Sequence, residues 1–335
     1  MLPKTMAASL FSTGGWFLVS ILVAGAGSAF AQQRTDPKSP WPFSAKPGAP
    51  AIGDPKAAGV PPLSGGPSRD TKLVEKTWEE LTKIEPSENG KSALAIDPAK
   101  WRHAETENFI LHYRRATEGQ KVAREVEYDL WFVATTLGAT RERYQRKSHV
   151  YIFEDGEEWK GFLSKTRMPV WAGSFAYGDE LFLNVRGTSG GEGFDSSTLA
   201  HEATHAVVAR LFPLKRWPIW LSEGFAEYMG GASIAARKGQ SVKRYQARLN
   251  AAEMPLDVLE KLQAYPGDPV QVSQLYQTSE KFIRYLMNEL PRERIVQYID
   301  TVLAGKTMRD AFLEVYADRH PDWDSFLKRY ERYVK

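Results

Sequence analysis

Two histidines four residues apart, His201 and His205, with Glu202 beside the first, restrict this 335-residue chain more than any other feature. Side chains at that spacing share a face on an α-helix, so the segment is expected to be helical with both imidazoles directed at one point. Two ring nitrogens placed this way suit a zinc ion about 2.0 to 2.1 Å from each. Glu202 is displaced round the helix, where its carboxylate can reach a water on such a metal without occupying it. A zinc-bound water has its pKa lowered to about 7, so a nearby carboxylate can take its proton.

Two ligands do not close a site. The pattern in which Gly and a third His shortly follow is absent, since Val208 and Leu211 stand there. Seventeen residues separate His205 from Glu223, within Trp220-Leu221-Ser222-Glu223-Gly224. Pro213 stops the first helix and Pro218 can open a second. A second helix turned back at that corner would bring Glu223 opposite the two imidazoles. Glu227, one turn further on, shares the Glu223 face.

The rest of the chain frames this pair of helices. The first 31 residues carry Lys4, an apolar run from Trp16 to Ala26 and Ala29-Phe30-Ala31, the form of an export signal cleaved before Gln32. An uncleaved N-terminal anchor is the alternative, although the run is short for a spanning helix. The protein is accordingly expected to be exported, periplasmic or secreted. Residues 32–70 are crowded with Pro and Gly, as in Pro61-Pro62 and Gly65-Gly66-Pro67, and read as a flexible tether.

From residue 71 the pattern is mixed. A short helix is expected near Lys72 to Ile84, then a strand over 108–113. A helix follows over 119–137, where Val122, Val126, Leu130 and Val133 recur at helical spacing. A strand over 149–153, a helix over 157–165 and two strands over 171–176 and 181–185 come next. After a Gly-rich loop at 187–193, Asp195 or Ser196 can cap the histidine helix. Helices alone follow, over 270–290, 292–303, 308–315 and 322–333. The order indicates an α+β domain over 71–335, a sheet lobe at 71–212 and a helical lobe at 213–335.

Composition removes several chemistries. There is no cysteine, so no disulfide framework, thiolate site or cysteine nucleophile is available. The net charge of +3 is spread with both signs interleaved, which argues against a nucleic-acid partner. The Gly-rich loop lacks the Gly-Lys-Ser/Thr ending of a phosphate cradle. His103, His112, His149 and His320 have no ligand-spaced partner and are read as surface or satisfied structural residues.

His201 to His205 followed by Trp220-Leu221-Ser222-Glu223-Gly224 resembles the gluzincin metallopeptidases, the clan of thermolysin and the aminopeptidases, and most of all the bacterial peptidase MA-like domains. The resemblance spans roughly residue 101 to the C-terminus, with a His-to-Glu spacing one residue shorter than in aminopeptidases. It implies a thermolysin-like two-lobed fold and a single Zn2+ held by His201, His205 and Glu223. It also implies Glu202 as general base, Glu227 bracing a ligating imidazole, and a peptide or protein as substrate. Tyr276 resembles the phenol that stabilises the oxyanion, with Tyr228 as second candidate. Gly173, Ser174 and Phe175 resemble the edge strand that receives an extended peptide. The other readings are a catalytically silent relative that binds envelope peptides or proteins, and a zinc hydrolase of non-peptide amides. The sequence leaves the oligomeric state open.

Overall fold

A computed structural model describes residues 71–166, 168, 172–185, 196–213, 215–242 and 253–334. The export signal, the tether, the Gly-rich loop and the Asp195 cap lie outside these residues.

Largely apolar segments over residues 109–113, 148–153 and 180–184 become three of the four interior strands, and every residue in them is buried. Such runs suit strands covered on both faces. The sheet has six strands in the order β1-β2-β3-β4-β6-β5: β1 (Val74–Lys76), β2 (Arg102–Glu105), β3 (Phe109–Tyr113), β4 (Ser148–Phe153), β6 (Glu180–Asn184) and β5 (Ser174–Tyr177). The β3, β4 and β6 neighbours run parallel, and both edges are antiparallel. A parallel neighbour requires a crossover, supplied between β3 and β4 by α2 (Ala116–Thr136).

Helix α2 packs one face of the sheet with α5 (Ser196–Leu211), and α6 (Ile219–Arg237) packs against both helices. The core there runs on into α8 (Pro269–Glu289), α9 (Ile295–Leu303), α10 (Met308–Tyr316) and α11 (Trp323–Val334). A separate aromatic cluster of Trp101, Tyr151, Phe153, Trp159, Phe162, Phe175 and Phe182 covers the opposite face. It includes Trp159 and Phe162 of α4 (Gly156–Leu163) and Ala93 of α1 (Glu88–Leu94).

Residues 72–84 differ from the helix expected there. They form β1 and turns, because β1 pairs with β2 and Lys76 reaches Glu105 at 2.8 Å, so sheet pairing overrides local propensity. Helix α1, strand β2 and two short helices, α3 (Arg141–Tyr144) and α7 (Leu256–Lys261), also escape the sequence pattern. The helix expected to begin at Arg292 opens instead as a single 3-10 turn ahead of α9.

Three of the remaining histidines form a chain across β2, β3 and β4. His103 Nδ1 lies 2.8 Å from His112 Nδ1, His112 Nε2 lies 2.9 Å from His149 Nδ1, and His149 Nε2 donates to the Ile84 carbonyl at 3.0 Å. One run of neutral tautomers satisfies every contact: each ring donates to the next and the last donates to the carbonyl. Burial holds His112 well below the ordinary imidazole value, reinforced by His149 and His103, and burial lowers His149 and His103 as well. The sign follows from which state binds protons more readily. An unfolded imidazole takes one near pH 6.5 and the folded chain resists it, so this stability is complete above about 6.5 and declines as pH falls below it. Buried Asp129, Glu180 and Glu280, each pushed up to about 7 by burial, change stability in the opposite sense. A comparison with His112→Phe isolates the imidazole. The gap in thermal midpoint between wild type and variant should narrow from about pH 7.5 to about pH 5, and a constant gap contradicts the assignment.

Candidate metal centre

Helix α5 lies against β5 and β6 with Leu199, Ala203, Ala206 and Val207 buried in the core. Its far end is fastened by Arg210, whose buried guanidinium donates to Ser148 Oγ at 3.0 Å and to the Asn108 carbonyl at 3.1 Å. The apolar positions fix the rotation of the helix, so His201 and His205 project from the same side, toward α6. Two glycines let α6 approach closely. A Cβ on Gly230 would stand 3.0 Å from the His201 backbone nitrogen, and one on Gly224 would stand 2.5 Å from the Ser279 carbonyl oxygen of α8.

The result brings together the three side chains expected from the sequence. One ligand atom from each of His201, His205 and Glu223 lies within 4.8 Å of the others, the one such grouping among the described residues. The two Nε2 atoms are 3.1 Å apart, and Glu223 Oε2 lies 3.4 Å from the first and 3.5 Å from the second. Ligand atoms about 2.0 to 2.1 Å from a tetrahedral zinc are separated by about 3.3 to 3.4 Å, so the trio has the edge lengths of that polyhedron. Glu223 is 4% exposed, and its Oε2 is buried without a hydrogen-bond partner. An orphaned buried carboxylate oxygen facing two imidazole nitrogens is the donor set a divalent cation satisfies.

The electrostatics agree. Burial alone would raise Glu223, but the charge of His205 and the closeness of both imidazoles hold it well below the usual carboxylate range. Burial alone would lower His201, but Glu223 and Glu227 hold it well above the ordinary imidazole value. A proton and a metal therefore compete for the same electron pairs.

The outer nitrogens are also occupied. Glu227 Oε1 stands 3.1 Å from His201 Nδ1, a close but bent contact short of a formal hydrogen bond. Ser222 Oγ stands 3.2 Å from His205 Nδ1. A proton held at Nδ1 in this way leaves the Nε2 lone pair available to a metal. Glu202, burial-raised against the pull of His201 and His205, accepts from the Ala176 backbone N–H at 2.9 Å.

That bond also orients β5. Because the Ala176 N–H turns away from β6, alternation along an antiparallel pair directs Ser174 and Ala176 to the open edge and Phe175 and Tyr177 toward β6. The Phe175 ring is buried in the aromatic cluster, and Gly173 lies just ahead of the strand. The outward backbone groups thus belong to Ser174 and Ala176.

Tyr276 lies at the site, its ring centre 6.2 Å from that of His201. Tyr228 does not: it is fully buried, donates to Asn288 Oδ1 at 3.1 Å and meets Arg292 at 3.3 Å. Two contributors were missed from the sequence. Ser222 adjoins Glu223 and could have been found as a polar neighbour of a ligand. Tyr265, whose hydroxyl donates to Glu223 Oε1 at 2.5 Å, lies 42 residues away and carries no motif.

A family model described as the peptidase MA superfamily matches residues 133–332, more than half of the chain. No curated protein and no solved structure matches it.

Proposed function

Because the chain belongs to the peptidase MA superfamily, we propose that it hydrolyses peptide bonds in exported peptides or proteins, with a single zinc ion held by His201, His205 and Glu223. The observation that carries this reading is the convergence of those three ligand atoms with Glu202 alongside. Zinc bound there supplies Lewis acidity toward a carbonyl and lowers the pKa of a water to about 7.

The remaining roles fall to side chains and backbone. The raised pKa of Glu202 suits a base that takes a proton from water and hands it to the departing amine. Its bond to the Ala176 N–H ties that base to β5, along whose outer edge an extended peptide adds as a further strand, meeting Ser174 and the Ala176 carbonyl. Burial and the Glu223 charge keep the Tyr276 phenol well above its ordinary pKa, so it stays protonated as a donor to an oxyanion. Glu227 steadies His201. The substrate cleft then runs between a sheet lobe and a helical lobe in the thermolysin-like manner. Export rests on the pattern of residues 1–31.

Purified full-length protein should bind zinc and cleave members of a diverse peptide library, and chelation should stop cleavage. A zinc-loaded protein that leaves the whole library intact contradicts the proposal.

A further inference from the structure

Among the side chains around the metal centre, Tyr265 stands apart because it comes from no helix or strand. It belongs to the short segment between α7 and α8, with Pro266 after it and Asp268 capping α8 through the Val270 N–H at 3.1 Å. A residue before proline is confined to extended backbone, so the ring is delivered from a restrained position.

We propose that Tyr265 is a positioning residue that fixes which oxygen of Glu223 is offered to the metal and where the Tyr276 hydroxyl rests. The inference deepens the zinc reading above and depends on its metal site.

The direction of the hydrogen bonds carries the argument. An ionised carboxylate only accepts, so in the 2.5 Å contact the Tyr265 hydroxyl donates to Glu223 Oε1. With its proton committed, the Tyr265 oxygen can still accept. The Tyr276 hydroxyl is hydrogen-bonded to Tyr265, and the two rings stack at 26° with centres 6.3 Å apart. The chain therefore runs from Tyr276 through Tyr265 to Glu223, polarised toward the carboxylate.

Two consequences follow for the site. With Oε1 engaged, Oε2 is left as the ligand atom, and it is Oε2 that faces both imidazoles at 3.4 and 3.5 Å. A carboxylate held by one oxygen leaves a coordination position for water or substrate, whereas one free to turn can bind through both oxygens and fill that position. The phenol of Tyr276, in turn, is parked beside the metal ligands with its proton directed at Tyr265, not at solvent.

The test uses full-length protein and zinc alone. Tyr265→Phe keeps the ring and removes the hydroxyl. Its zinc Kd, measured by competition with a chromophoric chelator, should weaken by about 10- to 100-fold, the usual effect of losing a group that orients a metal ligand. The cobalt-substituted variant should lose visible absorption as its coordination number rises. Tyr276→Phe, which leaves the bond to Glu223 in place, should keep the wild-type Kd. A Tyr265→Phe protein with wild-type Kd and cobalt spectrum overturns the proposal, and so does a weakened Kd with the cobalt spectrum of wild type, which would mean a packing role. Cleavage is not needed for this readout. Wild type that binds zinc but cleaves nothing contradicts the peptidase proposal and leaves this one standing, while wild type that binds no zinc overturns both.

Discussion

Replacing Glu202 with Gln should leave zinc in place and lower peptide cleavage by about 10³-fold, within the range a positioned general base contributes. The geometry separates the two outcomes. Glu202 is not one of the three converging ligands, and its Oε2 contacts the Ala176 N–H at 2.9 Å. A glutamine oxygen can accept the same bond, so the side chain keeps its place beside β5 while losing the capacity to take a proton. His201 and His205 keep their contacts with Glu227 and Ser222. A Glu202→Gln protein that cleaves as fast as wild type removes Glu202 from the chemistry. Loss of zinc from that variant would give the carboxylate a structural role instead.

The second large effect concerns Gly224→Ala, which should destabilise the fold by about 3 kcal/mol or more, the upper part of the range for overpacking. The added Cβ would lie 2.5 Å from the Ser279 carbonyl oxygen, 2.6 Å from its carbon and 2.8 Å from its Cβ. Two of those atoms are backbone, so relief requires α6 and α8 to separate. At about 2 to 4 °C per kcal/mol for a domain of this size, the thermal midpoint should drop by about 10 °C. Zinc affinity should fall too, because the preceding residue is the ligand Glu223. Gly161 supplies the control. It lies within α4, where an added methyl group would meet nothing within 4 Å, so Gly161→Ala should be neutral or stabilising by up to about 1 kcal/mol. Equal midpoints for Gly224→Ala and wild type would show that α6 and α8 do not meet at this glycine.

The parts of this site that could be read from the sequence are those set by local periodicity. A four-residue spacing determines a shared helical face, and Pro213 and Pro218 mark the corner between α5 and α6. Strands β3, β4 and β6 were legible because burial on both faces demands largely apolar runs. Strand β2 is different. Arg102, His103 and Glu105 of β2 carry no apolar alternation, and their conformation comes from pairing with β1 and β3. The histidine chain has the same origin, since only sheet register places His103 opposite His112 and sets His149 on the adjoining strand. The hold of the Ala176 N–H on Glu202 is a backbone bond, which no residue type announces. Tyr265 reaches Glu223 across 42 residues from an irregular segment, and neither helical nor strand periodicity extends that far.

The proposed hydrolysis rests on three side chains sharing one cation. Anomalous diffraction at the zinc edge from crystals of the zinc-loaded protein tests this directly. One peak is expected about 2.0 to 2.2 Å from His201 Nε2, His205 Nε2 and Glu223 Oε2 together. A zinc peak elsewhere, or one at the two imidazoles with the Glu223 carboxylate turned away, would contradict it.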